Sequence, residues 1–584
     1  MGAGQSSSAG AGLTDLEIKL RGSGDLGSLE RAFHCLTQSP SPSEAIDKKA
    51  LLPITCLQDC FQLAPLSVKE GIHEVMANIG QAIVSEFYES NDEKINWIQF
   101  LEGYQKCSAD TGMEHLKHLF SVFYRASRLA EQGSKQETKS VKKNEEKNVD
   151  VGFLTGAQFK DFLHICWLFM CHARLPAEGV AVAELEVSLP KADFLLSAAF
   201  SACKLKSKGE MSQGQSMLEA VLSASELSSW VLATIPSLTE CLVRFVRAQL
   251  SRFPAFSKAN VAEENASNQI ARKGESGTCP QDGEEKSLSK KDGLLLHSGT
   301  AWAVGLSLRD HAAAEILFRA SCGIIESPNS ELPTLLYRSS VHGSGLNRFW
   351  TCVDGYHAPV LVLISAHTQE ESSTGTALVI GALIVRGFEN KTVAYGASGS
   401  FLYTVEPVFC PFRASGKEKY YVYSHKHTAG AVYSAQKSVE GIGFGGSYGK
   451  ERVWLNEDFA TLTVRHHAVD KTYQPGALVP GQGFSQITAK VLEVEIWGLG
   501  GDKAEEEQAK FLKRENLFSE QRRKVDLASF GNWENSPEKM MMDMILDIEE
   551  ILQRYETCFK LCLRFKLHGA TWTFVQFLPL SKRI

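Results

Sequence analysis

No CxxC pair occurs anywhere in this chain, although it holds 14 cysteines. Cys56/Cys60 and Cys558/Cys562 are each spaced four apart, on one helical face, yet no matched His or Cys pair at zinc-like spacing accompanies them. The cysteines therefore read as reduced, mostly buried thiols. Long hydrophobic runs are also missing. A membrane-spanning helix needs about 18 apolar residues, and the longest candidate, Phe162 to Met170, is far shorter and carries His164. The first residues lack the charged-then-apolar order of a secretory signal, so an intracellular chain without a spanning segment is expected. Basic charge is not in excess either. With 61 Lys and Arg against 68 Asp and Glu, the formal net charge is −7, which argues against nucleic acid as a partner.

What remains is ordinary globular composition, 43% hydrophobic and 22% charged over 584 residues, with room for several domains. Residues 1–12 read as a flexible arm. Its start, Met-Gly-Ala-Gly-Gln-Ser, fits M-G-x-x-x-[ST], with Gly2 available for myristoylation once Met1 is removed and Ser6 in the required place. Residues 13–130 carry a helical pattern opened by a capping box, Thr14 with Glu17. Within it, ESNDEKINWIQFLEGY resembles the second half of an EF-hand, with Ile95 as the central loop hydrophobe. That alignment makes Tyr88, Ser90 and Asp92 coordinating positions, puts Glu93 where the turn glycine belongs and replaces the bidentate glutamate by Gln99. Calcium wants several carboxylate oxygens around a sharp turn, so the helix pair is expected to persist as a scaffold without metal.

Residues 131–150 are a charged linker with almost no apolar side chain. A second helical region spans 151–256. Ser223 and Glu226 suggest another capping box, Trp230 follows, Pro236 interrupts the pattern, and Leu238, Leu242, Phe245 and Val246 form a core stripe. Residues 257–292 are a polar linker. A unit over 293–501 opens with helical stretches around Trp302 and HAAAEILFRAS. Residues 502–536 form a C-terminal helix that Asp502 can cap, with Glu506 and Lys510 four apart and Ala504, Phe511 and Phe518 recurring every seven residues. The tail, 537–584, holds one amphipathic pattern and a strand-like TWTFVQFLPL.

The unit from Leu335 to Gly498 organises the rest. LLYRSSVHGSGLNRFW leads into PVLVLI, TALVIGALIV, ASGSFLYTV, KYYVYS, GIGFGGSYGKERVWL and KVLEVEIWG. Several short strands separated by glycine-rich turns predict a β-sandwich. This order of segments resembles the TLDc domain, and the positions that carry the resemblance are Leu336, Tyr337, His342, Gly343, Gly381, Gly399, Phe401, Leu402, Gly445, Gly446, Trp454, Glu495 and Trp497. Ile380 departs from the pattern, since the family commonly has an aromatic before that glycine. The expected class is α+β: a helical, EF-hand-like N-terminal half followed by a C-terminal TLDc β-sandwich flanked by helices.

Catalytic patterns fail on context. Gly441 to Gly446 satisfies G-x-G-x-x-G as a string, but turn and strand follow it where a dinucleotide loop needs a helix. Gly396 to Ser400 is not a nucleophile elbow. His466 and His467, read as part of a strand, would point to opposite faces and not share a metal. On the closing strand Leu492, Val494 and Ile496 are expected on one side, and Glu493, Glu495 and Trp497 on the other. Glu495 beside Trp497 reads as a hydrogen-bonded structural or interface carboxylate, the alternative being an acid raised by burial. No catalytic residue, cofactor or metal is expected.

The resemblance implies a non-enzymatic adaptor that binds and regulates the vacuolar-type proton ATPase at endolysosomal or vacuolar membranes and contributes to oxidative-stress protection. His342, Gly343, Gly399, Gly445, Gly446, Glu495 and Trp497 are its expected binding-surface or signature positions. Proton-ATPase subunits are the expected partners, with peripheral membrane contact through a lipid on Gly2. A lysosome-surface scaffold in nutrient and kinase signalling, and an enzyme of unrecognised type, remain as alternatives.

Overall fold

The computed structural model describes residues 14–37, 48–63, 72–88, 93–108, 112–133, 152–174, 189–204, 217–253, 293–309, 312–322, 332–368, 376–426 and 439–531, with short helical stretches between 539 and 552. Gly2, Ser90, Asp92, Cys558, Cys562 and TWTFVQFLPL lie outside them. Residues 1–507 form one compact unit and residues 508–584 a second. None of the described helices is long and apolar enough to cross a membrane by itself.

The N-terminal half is helical: α1 (Asp15–Gly22), α2 (Leu26–Leu36), α3 (Ile54–Cys60), α4 (His73–Ala77), α5 (Ile79–Phe87), α6 (Trp97–Ser108), α7 (Gly112–Gly133), α8 (Gly156–Arg174), α9 (Asp193–Lys204), α10 (Ala224–Thr234) and α11 (Cys241–Ser251). Two small antiparallel ladders pin these helices together. In the first, β1 (Leu52–Pro53) pairs β2 (Lys94–Ile95), with Leu52 opposite Ile95. In the second, β3 (Phe153–Thr155) pairs β4 (Val221–Ser223), with Leu154 opposite Leu222. All four of these apolar residues are buried. Tyr88, placed by sequence at a coordinating position, instead turns its ring into the core between Phe61 and Phe100. Gly103 permits this, since a Cβ there would stand 2.4 Å from the Tyr88 ring.

Among the described N-terminal helices, reciprocal capping boxes fix three starts. Thr14 and Glu17 form the expected reciprocal box: Thr14 N–H donates to Glu17 Oε2 at 2.8 Å, and Glu17 N–H to Thr14 Oγ1 at 3.3 Å. Asn96 with Gln99, and Thr155 with Gln158, repeat the exchange directly after β2 and within the end of β3. The expected box at Ser223 and Glu226 does not form. Ser223 occupies the N-cap of α10, but its hydroxyl meets Ser225 Oγ at 2.9 Å and caps nothing.

The second half continues with α12 (Ser298–Ser307), α13 (Ala312–Cys322), β5 (Thr334–Arg338), α14 (Ser339–His342), α15 (Leu346–Val353), β6 (Val360–Thr368), β7 (Ala377–Ile384), β8 (Lys391–Tyr395), β9 (Phe401–Glu406), β10 (Cys410–Arg413), β11 (Val422–His425), β12 (Gly441–Phe444), β13 (Val453–Asn456), β14 (Thr461–Val464), β15 (Ile487–Gly498) and α16 (Gly501–Gly531). The α+β class holds. The expected sandwich takes the form of one curled antiparallel sheet of eleven strands, in the order β10-β9-β7-β6-β15-β14-β13-β12-β11-β8, with β5 also on β15. Val362, Ile364, Ile380, Phe444, Leu462 and Ile496 meet inside the curl. Leu361, Leu363 and Leu383 face outward onto the helices, so β6 and β7 are buried on both faces and read as unbroken apolar runs.

Helix α12 is apolar all round because it has no solvent side. Gly299 through Ser307 are all buried, and the helix lies between the sheet and the N-terminal helices. Ser307 Oγ meets Tyr403 OH on β9 at 3.1 Å, while Ser237 Oγ donates to Leu308 O from the N-terminal half. Phe194 on α9 sets its ring edge-on to Phe409 at 5.7 Å. The N-terminal helices, α12 and the outer face of the sheet thus share one core.

Three local expectations need correction. A β-bulge between Val491 and Glu493 leaves Leu492 unpaired and 53% exposed, off the face it was expected to share with Val494 and Ile496. His466 and His467 lie beyond β14, His467 beginning a short 3-10 turn, and their rings approach to 4.0 Å instead of pointing apart. Asp502 is in the first turn of α16, which begins at Gly501, and so is not its cap. Within α16, Ala504 is buried and Phe518 is exposed.

Candidate functional site

β15 is the longest strand of the sheet, and four of the signature residues, His342, Gly343, Glu495 and Trp497, gather around its second half. β5 runs alongside with Arg338 opposite Glu495. Glu493 and Glu495, two apart on the regular strand beyond the bulge at Leu492, lie on the same side, and Arg338 reaches both: its Nε–H donates to Glu493 Oε2 at 3.0 Å and lies 3.6 Å from Glu495 Oε1. A third contact, from Nη2 to Gly293 O at 2.8 Å, ties in the segment leading to α12.

Glu495 is fully buried and has no free oxygen. It accepts from Leu295 N–H at 3.1 Å, Leu296 N–H at 3.3 Å and Trp497 Nε1–H at 2.9 Å. Burial pushes its carboxyl up, and these donors only partly offset that. Glu493 accepts from Ser339 Oγ at 2.5 Å and Ser340 N–H at 2.9 Å. Burial acts to raise it as well, but the Ser339, Ser340 and Arg338 donors prevail and hold it below the usual carboxylate range. Both acids therefore clamp the chain.

His342 and Gly343 close the same end. Tyr337 is fully buried, donates its hydroxyl to Gly343 O at 2.8 Å and stacks on the exposed His342 ring at 5.9 Å. His342 Nδ1 accepts from Arg338 N–H at 2.9 Å. The structure thus brings His342, Gly343, Glu495 and Trp497 together through Arg338, a residue the sequence reading passed over. Chain spacing offered no signal for it, since Arg338 and Glu493 lie 155 residues apart and meet only through the pairing of β5 with β15.

Gly399, Gly445 and Gly446 sit elsewhere. Gly399 lies in the turn that feeds β9. G-x-G-x-x-G divides: Gly441–Phe444 is strand β12, and only Gly445 and Gly446 are the turn, at φ 67° and 78°. A Cβ on Gly445 would stand 2.5 Å from Asp470 Oδ2, so both backbone and space demand glycine. Asp470 Oδ1 accepts from Gly446 N–H at 2.9 Å and Thr472 N–H at 2.7 Å. Its other oxygen faces Arg452 Nη1 at 3.5 Å, both side chains being fully buried. Arg452 also donates to Gln474 O at 2.8 Å and Gly476 O at 2.6 Å. This pair, too, was missed. Ile380, in place of an aromatic, fills the interior of the curl.

Residues 320–500 match the sequence profile of the TLDc domain. This part of the chain is a TLDc domain. The chain is similar to Oxidation resistance protein 1 of Xenopus laevis, 25% identical over 164 residues, covering 28% of this chain and 16% of that protein. It is similar to the MTOR-associated protein MEAK7 of Danio rerio, 25% identical over 184 residues, covering 32% of this chain and 36% of that protein. A shorter likeness, 34% over 71 residues and 12% of each chain, joins it to Restriction of telomere capping protein 5 of Kluyveromyces lactis. The matches thus span well under half of these relatives' lengths. In the TLDc domain the carboxylates of Glu493 and Glu495 are engaged by protein donors, and no group of three His, Cys, Asp or Glu able to hold a metal occurs among the described residues.

Proposed function

We propose that this chain is a non-enzymatic TLDc adaptor that binds and regulates the vacuolar-type proton ATPase at endolysosomal or vacuolar membranes, with a role in oxidative-stress protection. One observation carries the non-enzymatic part. Glu495, the acid that a catalytic reading would need, spends its oxygens on Leu295, Leu296 and Trp497. The resemblance of the signature residues supplies the proton-ATPase partner, and the name of the Xenopus relative supports the stress role. We read the two helix-and-ladder units as EF-hand-like lobes that act without calcium, Gln99 being engaged as a cap. Gly2 myristoylation supplies the membrane contact.

A second reading, a scaffold for kinase signalling at the same membranes, is favoured by the name of the zebrafish relative. Affinity purification of the full chain from intact cells distinguishes the two. Proton-ATPase subunits recovered with the wild type and lost with Arg338→Glu support the first. Kinase-complex subunits recovered without pump subunits support the second. Loss of a catalytic activity on Glu495→Gln, with folding intact, would restore the enzyme alternative.

A further inference from the structure

Salt bridges explain some of the arginines between the helices, but not all of them. A cleft of about 490 Å³ opens where the end of α6 and the start of α7 meet the 3-10 turn Pro236–Glu240, α11 and the end of α12. Its volume lies in the range of small-ligand pockets. Arg244, Arg247 and Arg309 line it with the hydroxyl-bearing Ser108 and Thr239, and Glu240 is the one carboxylate in the lining. This is a positive concentration in a chain of net charge −7. Arg244 uses Nε and Nη2 on Glu240 Oε2, at 3.1 and 2.6 Å. Arg247 uses Nε on Tyr104 OH and Nη2 on Asp25 Oδ2, both at 3.2 Å. Each keeps further N–H donors for a ligand, since a guanidinium carries five.

Arg309 has no acid within ion-pair distance among the described residues. It is exposed, and its Nη2 lies 3.5 Å from where a Cβ of Gly112 would be, over the first residue of α7. The positive end of that 22-residue helix therefore faces the same space. Behind Arg309 stands Arg413 on β10, whose Nε and Nη2 are buried and accepted by no protein oxygen. Burial and then the charge of Arg309 push the Arg413 pKa down. Two guanidiniums held near each other, with no carboxylate paired to either among the described residues, oppose folding, and a bound anion would remove that opposition.

We propose that this cleft binds a compact ligand bearing two or more phosphates, the chemistry that an inositol phosphate and a phosphoinositide headgroup share. Planar guanidinium forks suit phosphate oxygens bidentately, and three of them around one cavity favour a multiply charged ligand over a single phosphate. The inference does not depend on the proton-ATPase reading.

The test titrates the full chain with inositol trisphosphate by calorimetry and floats it with vesicles containing phosphatidylinositol bisphosphate, using phosphatidylserine vesicles of matched charge as control. Saturable binding in either arm supports the proposal, and the arm that responds identifies the soluble or the lipid source. Arg309→Glu should weaken binding at least tenfold, Arg309→Gln less, and Glu240→Gln should strengthen it, with near-ultraviolet circular dichroism unchanged. A structural role for these residues would not produce opposite signs. No saturation in either arm, equal capture by phosphatidylserine, or wild-type affinity in Arg309→Glu would overturn it.

Discussion

Arg338 on β5 donates its Nε–H to Glu493 Oε2 on β15 at 3.0 Å, and the same nitrogen stands 3.6 Å from the fully buried Glu495. One cation thus answers two acids whose other partners are backbone, hydroxyl and indole donors. Arg338→Met should destabilise the chain by about 3 kcal/mol, the cost of leaving buried carboxylates without their counter-charge. The readout is a lower urea midpoint at unchanged slope. A change below about 0.5 kcal/mol would mean that the neutral donors suffice.

The Arg452–Asp470 pair makes a sharper case, because neither side chain reaches water. Arg452→Met alone and Asp470→Asn alone should each cost about 3–5 kcal/mol. The double variant should cost clearly less than their sum, since each partner's loss strands the other. Additive costs would show that the 3.5 Å contact is incidental. Gly445→Ala should fail in the same way, because its Cβ would displace Asp470.

The strands were legible in the sequence because burial on both faces wrote β6 and β7 as continuous apolar runs, and because paired glycines marked the turn before β13. The capping box at Thr14 was legible too, since it depends on residues three apart. Arg338 and Arg452 were not. Their partners are 155 and 18 residues away, and spacing along the chain carries no sign of such pairs. The bulge at Leu492 is of the same kind, for it is fixed by the register of β6 against β15 and not by local preference. The two N-terminal ladders did leave a local trace: Ile95-Asn96 and Leu154-Thr155, each followed by glutamine three places after the cap. In the sequence the first reads only as part of a degenerate calcium loop, and the second was passed over.

Glu17 predicts a pH dependence. It accepts from Trp97 Nε1–H at 2.8 Å and Lys48 Nζ at 2.7 Å, joining α1 to α6. Burial alone would raise its carboxyl, but the Lys48, Trp97 and Thr14 donors bring it down to about 2. A folded value below the unfolded one, about 4.3, stabilises the chain above that pH. This contribution is lost as the pH falls towards 2. Thermal unfolding should show Glu17→Gln less stable than wild type at pH 7, with the two curves converging in acid. A gap that stays constant down to pH 3 would assign the effect to packing.

The loop expected to resemble a calcium site should bind none at micromolar affinity. Tyr88 is packed in the core, and Gln99 Oε1 is already accepting from Asn96 N–H at 2.9 Å. Calcium needs six to eight oxygens, and releasing these two would unmake the start of α6. Calorimetry of the full chain that found one tight site, abolished by Gln99→Ala, would refute this.

Whether the TLDc unit can fold without the N-terminal half turns on α12. In the whole chain Trp302 is 1% exposed, and the helix touches Ser237 on one side and Tyr403 on the other. Removing residues 1–292 would uncover the end of α12 that meets Ser237 and the side of α13 that faces α8, where Cys171 Sγ and Cys322 Sγ lie 3.8 Å apart. Exposed apolar surface costs about 25 cal/mol per Å². The isolated fragment should therefore bind a hydrophobic dye and unfold at a lower denaturant midpoint than the same strands in the full chain. Within the full chain, Trp302→Ala should cost about 3–5 kcal/mol through the cavity it leaves. Hydrogen exchange would then show faster opening both in α8 and in β9, because the indole's neighbours belong to one core. If only the sheet responded, with α8 protected as before, the two halves would be separate folding units after all.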